Sequence, residues 1–194
     1  MAGKRGLTND IVVSAAVNIV EEKGINGLSI QDLAAKLGVK PSSLYNHISG
    51  LADIRNGLAK VSLQKLEETI RNVAVGRGGA QALEEMAFAY RRFAKENPEL
   101  YKAFIDSAVL EDPNVDEAAQ SLARVVYRVL ESYNLDHEEQ IHFTRIFRSN
   151  LHGFVSLEAA GFFLKKVDVN ETFAKMVKSY IDLLNNHENA KRRG

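Results

Sequence analysis

Apolar residues recur along this chain at spacings of three and four, the period of one helical face, and strand-type alternation is almost missing. The pair Asn26 and Gly27, which could turn a hairpin, lies between helical segments instead. Thr8 is placed as an N-cap, with Asp10 near the positive helix end and Leu7 set to staple onto Val12. The buried stripe that follows is Ile11, Val12, Ala15, Ala16, Ile19 and Val20, and Lys23 with Gly24 predicts a left-handed C-cap. A second start comes at Ser29, with Asp32 three residues on and Leu28 and Leu33 as a staple; Ile30, Leu33, Ala34 and Leu37 share one face. Gly38 stops that helix, and Pro41 suits the first position of a short helix over 42–48. A longer helix is predicted over 51–75, ended by Gly76, Arg77, Gly78 and Gly79.

Further helices are predicted over 80–96, 98–110, 115–133, 137–163 and 170–187, with Asn97-Pro98 and Asp112-Pro113 marking two turns. The last two are the most apolar. One carries Ile141, Phe143, Ile146, Phe147, Leu151, Phe154 and Val155; the other has Phe173, Met176, Val177, Tyr180, Ile181 and Leu184. The pattern therefore predicts an all-α chain of about nine helices, an N-terminal three-helix helix-turn-helix domain followed by a C-terminal helical bundle. Its expected divisions are an N-terminal domain over 1–50, a connecting helix over 51–75, a C-terminal domain over 76–188 and a polar, frayed tail over 189–194.

Composition narrows the function. The chain has 194 residues, 45% of them hydrophobic, enough for a substantial core, and it has no cysteine, which excludes disulfides, thiolate metal sites and cysteine nucleophiles. Met1 to Leu7 lacks a following apolar segment and no run approaches a membrane span, so a cytoplasmic protein without a membrane partner is expected. Lysine plus arginine number 25 against 25 acids, but acids are missing from 1–9 and 33–52, where Lys4, Arg5, Lys36 and Lys40 fall. A phosphate backbone would be repelled by carboxylates at such a surface.

Two short helices separated by Gly38, Val39 and Lys40 form the spacing of a helix-turn-helix, whose first helix braces a second that enters a major groove. Gly38 permits the turn, Val39 plugs the angle, Ala34 allows close approach, and Leu44 and Ile48 face inward at i, i+4. Ser42, Ser43, Tyr45, Asn46 and His47 are left outward, all able to hydrogen-bond and none acidic. The run from Ile30 to Ile48, IQDLAAKLGVKPSSLYNHI, resembles the DNA-binding segment of the TetR family of repressors at Leu33, Ala34, Leu37, Gly38, Val39, Ser43, Leu44, Tyr45 and His47. The resemblance implies that Ser43, Tyr45 and His47 contact phosphate or sugar, that Lys40, Pro41, Ser42 and Asn46 lie near base edges, and that Gln31 can reach DNA. Lys40 stands where the family often has a Ser or Thr cap, and Leu51 where many members have a phosphate-binding Lys. The run from Leu151 to Glu158 is similar to the WHG-type C-terminal domain of one TetR branch, with Leu151 in place of Trp; His152 can be a core residue or a functional one.

Three further expectations concern the C-terminal part. Gly153, costly in mid-helix, predicts a close helix crossing. The last two helices are expected to pair with their copies in a homodimer through Phe154, Val155, Phe173, Val177, Tyr180, Ile181 and Leu184. Phe88, Phe93, Phe104, Tyr127 and Phe147 are candidate linings of a pocket for a small-molecule effector, although aromatics at helical spacing are more often core. The expected partner is a double-stranded, near-palindromic operator, with no cofactor, metal or catalytic residue. The competing reading is a small helical ligand-binding protein or enzyme; His137 and His142, five apart, do not share a face as metal ligands would.

Overall fold

The computed structural model describes residues 6–105 and 112–193; Lys4 and Arg5, and the end of the helix predicted over 98–110, lie outside them. The described residues form α1 (Asn9–Lys23), α2 (Ile30–Leu37), α3 (Pro41–Leu44), α4 (Leu51–Ala74), α5 (Gly79–Glu96), α6 (Pro98–Ile105), α7 (Pro113–Leu130), α8 (His137–Ala159) and α9 (Val169–Arg193), with 3-10 turns at Ile25–Gly27 and Glu131–Tyr133. No strand occurs among them. By packing they divide into a first unit, the described part of 1–65 with that of 97–119, and a second, 66–96 with the described part of 120–194.

In the first unit local chemistry starts and stops the helices. The Thr8 hydroxyl accepts the Ile11 N–H at 3.4 Å, and the Ser29 hydroxyl accepts the Asp32 N–H at 3.1 Å. Gly38 takes a left-handed conformation, φ 65° and ψ 32°, that closes α2 through its N–H to the Ala34 and Ala35 carbonyls. Gly24 departs from expectation. Its φ of 77° is positive but its ψ is 162°, so it leads α1 into an extended step rather than a left-handed cap. The core of this unit joins Val12, Ala16 and Ile19 of α1 to Leu33 and Ala34 of α2, Leu44 of α3, and Ile54 and Leu58 of α4. Leu100 and Ala103 of α6 complete it, and Glu99 accepts the Ile25 N–H at 2.9 Å. A helix far along the chain thus seals the helix-turn-helix core.

In the second unit α5, α8 and α9 pack together. A capping box opens α8: the Asp136 carboxylate accepts the Glu139 N–H at 2.9 Å while Glu139 accepts the Asp136 N–H at 2.8 Å. That helix ends at Ala159, short of the expected 163. The cause is Gly161, at φ 73°, whose N–H bonds the Glu158 carbonyl at 3.1 Å while Phe162 bonds back to Leu157 at 3.0 Å, a Schellman closure. Conversely, α9 runs through the expected frayed tail to Arg193. Glu139 of α8 receives both His187, at 2.9 Å, and Lys191 of α9, and Glu188 pairs with Arg192 at 2.6 Å. Lys191 first, then the Asp136 N–H and His187, hold the Glu139 carboxyl down at about 2.

The centre of this unit is aromatic. Phe154 and Phe173 meet edge to face at 4.9 Å, and the Tyr180 hydroxyl donates to the Phe143 carbonyl at 3.0 Å, while burial pushes its phenol pKa upward. Arg91 is buried, 6% exposed, and its guanidinium forks onto Glu158 at 2.8 and 2.5 Å, reaches Asn170 at 3.0 Å and lies 4.8 Å from the Phe173 ring centroid. A charge at that depth is tolerated because every direction it faces supplies a partner.

Candidate nucleic-acid interface

The short helix α3 is regular over only four residues, then tightens through Tyr45 to His47, with the His47 and Ile48 N–H groups sharing the Leu44 carbonyl at 2.8 and 3.1 Å. Helix is thus shorter than the predicted 42–48, yet the inward anchors hold: Leu44 is fully buried and Ile48 is 4% exposed. Lys40 precedes α3 without a side-chain cap; instead its carbonyl accepts the Ser43 N–H at 2.9 Å. The end of α3 is tied to α1, where the Asn9 amide donates to the His47 carbonyl at 3.3 Å. Leu51, at the start of α4, packs against the core instead of presenting a polar group to solvent.

With the core side fixed, the rest of α3 faces out. Tyr45 is 58% exposed, an unusual degree for so large a ring. Gln31, Lys40, Pro41, Ser42 and Asn46 are exposed as well, and Ser43 and His47 are half-buried. All eight expected DNA contacts therefore reach the surface of one helix-turn-helix. The nearest carboxylate in sequence, Asp32, is turned away toward Lys23 at 2.7 Å and the Ser29 hydroxyl, and these bonds, Lys23 first, hold it below its ordinary pKa. Lys36 differs from the sequence picture of an acid-free basic surface, because folding brings Glu22 of α1 within 3.0 Å of it.

Residues 12–50 match the model for bacterial regulatory proteins of the tetR family, and residues 83–180 match the tetracyclin repressor-like C-terminal domain. The HTH-type transcriptional regulator YobS of Bacillus subtilis (strain 168) is 35% identical over 97% of this chain and 99% of its own. The chain belongs to the TetR family of transcriptional regulators. Within that family, the class D tetracycline repressor protein of Escherichia coli is 30% identical over 44% of this chain and 39% of the repressor. The fold is also that of a TetR from Acinetobacter baumannii AYE crystallised with minocycline, TM-score 0.72 at 19% identity, covering 94% of this chain and 98% of that one. ActR of Streptomyces coelicolor in complex with (S)-DNPA gives a TM-score of 0.68 at 20% identity, covering 92% and 97%.

The C-terminal residues singled out from the TetR-like sequence take other places than expected. Of the seven proposed dimer contacts, Phe154, Val155, Phe173, Val177, Tyr180 and Leu184 are buried inside the protomer, and only Ile181 keeps part of its surface. The six lie in the unit where α5, α8 and α9 pack together. Gly153 marks no crossing within the protomer: a Cβ built on it has no described atom within 4 Å. It lies on an outward stripe of α8 with Ile146, Asn150 and Leu157, spaced i, i+4, i+7, i+11, and Ile146 and Leu157 are 39% and 46% exposed. Sequence reading missed this stripe because it is weakly apolar. Leu183, 47% exposed, marks the outward side of α9.

Of the effector candidates, Phe104 belongs to the first unit, buried and edge-on to Tyr101 at 5.1 Å; the other four belong to the second. There Phe93 and Phe147 are buried, Phe147 tilted against Tyr180 at 4.9 Å, while Phe88 and Tyr127 are half-buried. His152 is partly buried, 3.5 Å from the Ser156 hydroxyl; burial, then Arg148, lowers its pKa. Among the described residues no helix is long and apolar enough to cross a membrane.

Proposed function

We propose that this TetR-family regulator acts in the cytoplasm as a ligand-responsive repressor, binding a near-palindromic operator as a homodimer and leaving it when a small molecule binds. The observation that carries the DNA contact is the division of α3, with Leu44 fully buried beneath a Tyr45 that is 58% exposed. An acid-free, hydrogen-bonding surface held on a buried pivot is what a phosphate-lined groove requires. In this reading Tyr45, His47 and Ser43 hold the backbone, and Ser42, Asn46, Lys40, Pro41 and Gln31 stand near base edges. Two such helices related by a two-fold axis would address grooves about 34 to 36 Å apart.

The dimer reading moves from the buried aromatics to the outward stripe Ile146, Asn150, Gly153 and Leu157 of α8 with Leu183 of α9, where a glycine lets a second helix approach. Release by a small molecule is supported by the ligand-bound relatives of the same fold. Helical aromatics such as Phe88 and Tyr127, only half-buried, are the remaining candidates to touch it.

The test is a selection of bound fragments from random duplex DNA, followed by gel shifts with single variants. Tyr45→Ala and His47→Ala should weaken binding alike on every sequence, and Ser42→Ala and Asn46→Ala should change base preference. Silence of all four would remove α3 from the interface. Sedimentation of Gly153→Arg against the parent protein tests the dimer, and a monomeric parent at micromolar concentration would end that part of the reading.

A further inference from the structure

The second unit holds a groove of about 600 Å³ bounded by the end of α4, the linker after it and one face of α7. Its lining includes Arg71, Arg77, Arg124 and Arg128 but a single carboxylate, Glu67. In a chain with equal numbers of acids and bases, that local imbalance is pronounced. Glu67 is already paired with Arg71, one turn away. The Arg77 guanidinium donates to the Val73 carbonyl at 2.7 Å, and no ion pair of Arg77, Arg124 or Arg128 occurs among the described residues.

The placement of Arg124 and Arg128 runs against helix stability. Like charges four residues apart repel along a helix face. Elsewhere this chain puts opposite charges at that spacing, as in Glu171 with Lys175, Lys178 with Asp182 and Glu188 with Arg192. Here the spacing instead sets two arginines, both exposed, in the lining of one groove together with Ser121, and the linker adds no bulk at Gly78, where a Cβ would meet nothing within 4 Å. A guanidinium fork binds phosphate or carboxylate through two parallel hydrogen bonds, and the volume falls within the roughly 300 to 1,000 Å³ of small-molecule sites.

We infer that this groove is a binding site for a small organic polyanion bearing at least two phosphate or carboxylate groups, held by Arg77, Arg124 and Arg128. It stands on the second unit by itself and does not depend on the operator reading.

The test is calorimetric titration of the full chain with tripolyphosphate and, separately, with citrate, which distinguishes the two anion chemistries. Saturable binding of either probe is expected, weakened by about tenfold or more in Arg124→Gln/Arg128→Gln and partly restored in Arg124→Lys/Arg128→Lys. Because both side chains are exposed, the lysine variant should melt with the parent and the glutamine variant at or slightly above it, the repulsion being gone, which serves as the folding control. No saturable heat with either probe at millimolar concentration overturns the site, as does binding that the glutamine variant leaves unchanged. If neither probe binds but the glutamine variant loses affinity for non-operator duplex, the arginines serve nucleic acid and the inference fails.

Discussion

The helix-turn-helix and the α8, α9 pair are both built from amphipathic helices, yet they divide their side chains in opposite ways. In the helix-turn-helix a few apolar residues, Leu33, Ala34, Leu44 and Ile48, disappear into the core, while Pro41 and Ser42 of α3 face solvent and Ser43 is half-buried. Polar residues there remain free for a partner. In the α8, α9 pair the apolar side chains fill the core of their own unit, Phe173 and Leu184 completely buried, and the outward stripe carries little apolar area. The lesson is that the most apolar face of a segment need not be the face left for a partner. Surplus apolar residues in a sequence are a surplus only relative to one helix face, and α8 has neighbours on more than one side.

The comparison can be broken at its deepest point in the second unit. Arg91→Ala should cost about 3 kcal/mol, because it takes the buried fork from Glu158 and leaves that carboxylate with Lys95 alone, at 2.8 Å. Chemical denaturation would show the loss, and a change below about 1 kcal/mol would mean that the pair is idle. Arg91, then Lys95, holds the Glu158 carboxyl below its ordinary 4.5 despite partial burial. The sign follows: the contribution is complete above pH 4.5 and declines as pH falls below it, so the acid loss of stability should be steeper in the parent than in Arg91→Ala.

In the first unit the corresponding pressure point is Gly57. A Cβ there would sit 2.5 Å from Cγ2 of Val13, so Gly57→Ala should destabilise by about 1 to 3 kcal/mol through overpacking. Combined with Val13→Ala, the loss should be smaller than the sum of the two single changes; strict additivity in a double-mutant cycle would refute the close approach. A smaller effect is expected at the turn. Gly38→Ala forces an L side chain into a left-handed conformation, about 1 to 2 kcal/mol, readable as a lowered melting temperature. The smallest sharpens the contrast most. Tyr45→Ala should leave stability within about 0.5 kcal/mol while weakening operator binding by roughly tenfold, a separation that no buried aromatic of α8 or α9 could show.

Legibility follows the same divide. The caps at Thr8 and Ser29, the stop at Gly38 and the proline opening of α3 act through bonds within a few residues, so all were readable from neighbours in the chain. Two local signals in the second unit were equally readable but missed, the Asp136 and Glu139 capping box and the Gly161 closure that shortens α8. The continuation of α9 through Lys191 was not readable locally, because its anchor, Glu139, lies 52 residues away.

What the chain order determined on its own was the list of helices, the starts at Thr8 and Ser29, the stop at Gly38, and the outward set Ser42, Ser43, Tyr45, Asn46 and His47. Each depends on hydrogen bonds and periodicity within a turn or two. Only tertiary structure decided that α6 closes the first core, that Glu22 neutralises Lys36, and that the aromatics of α8 and α9 face inward. Those outcomes depend on which helix arrives from elsewhere in the chain, and burial is a property of the assembled neighbours, not of the segment that carries the side chain.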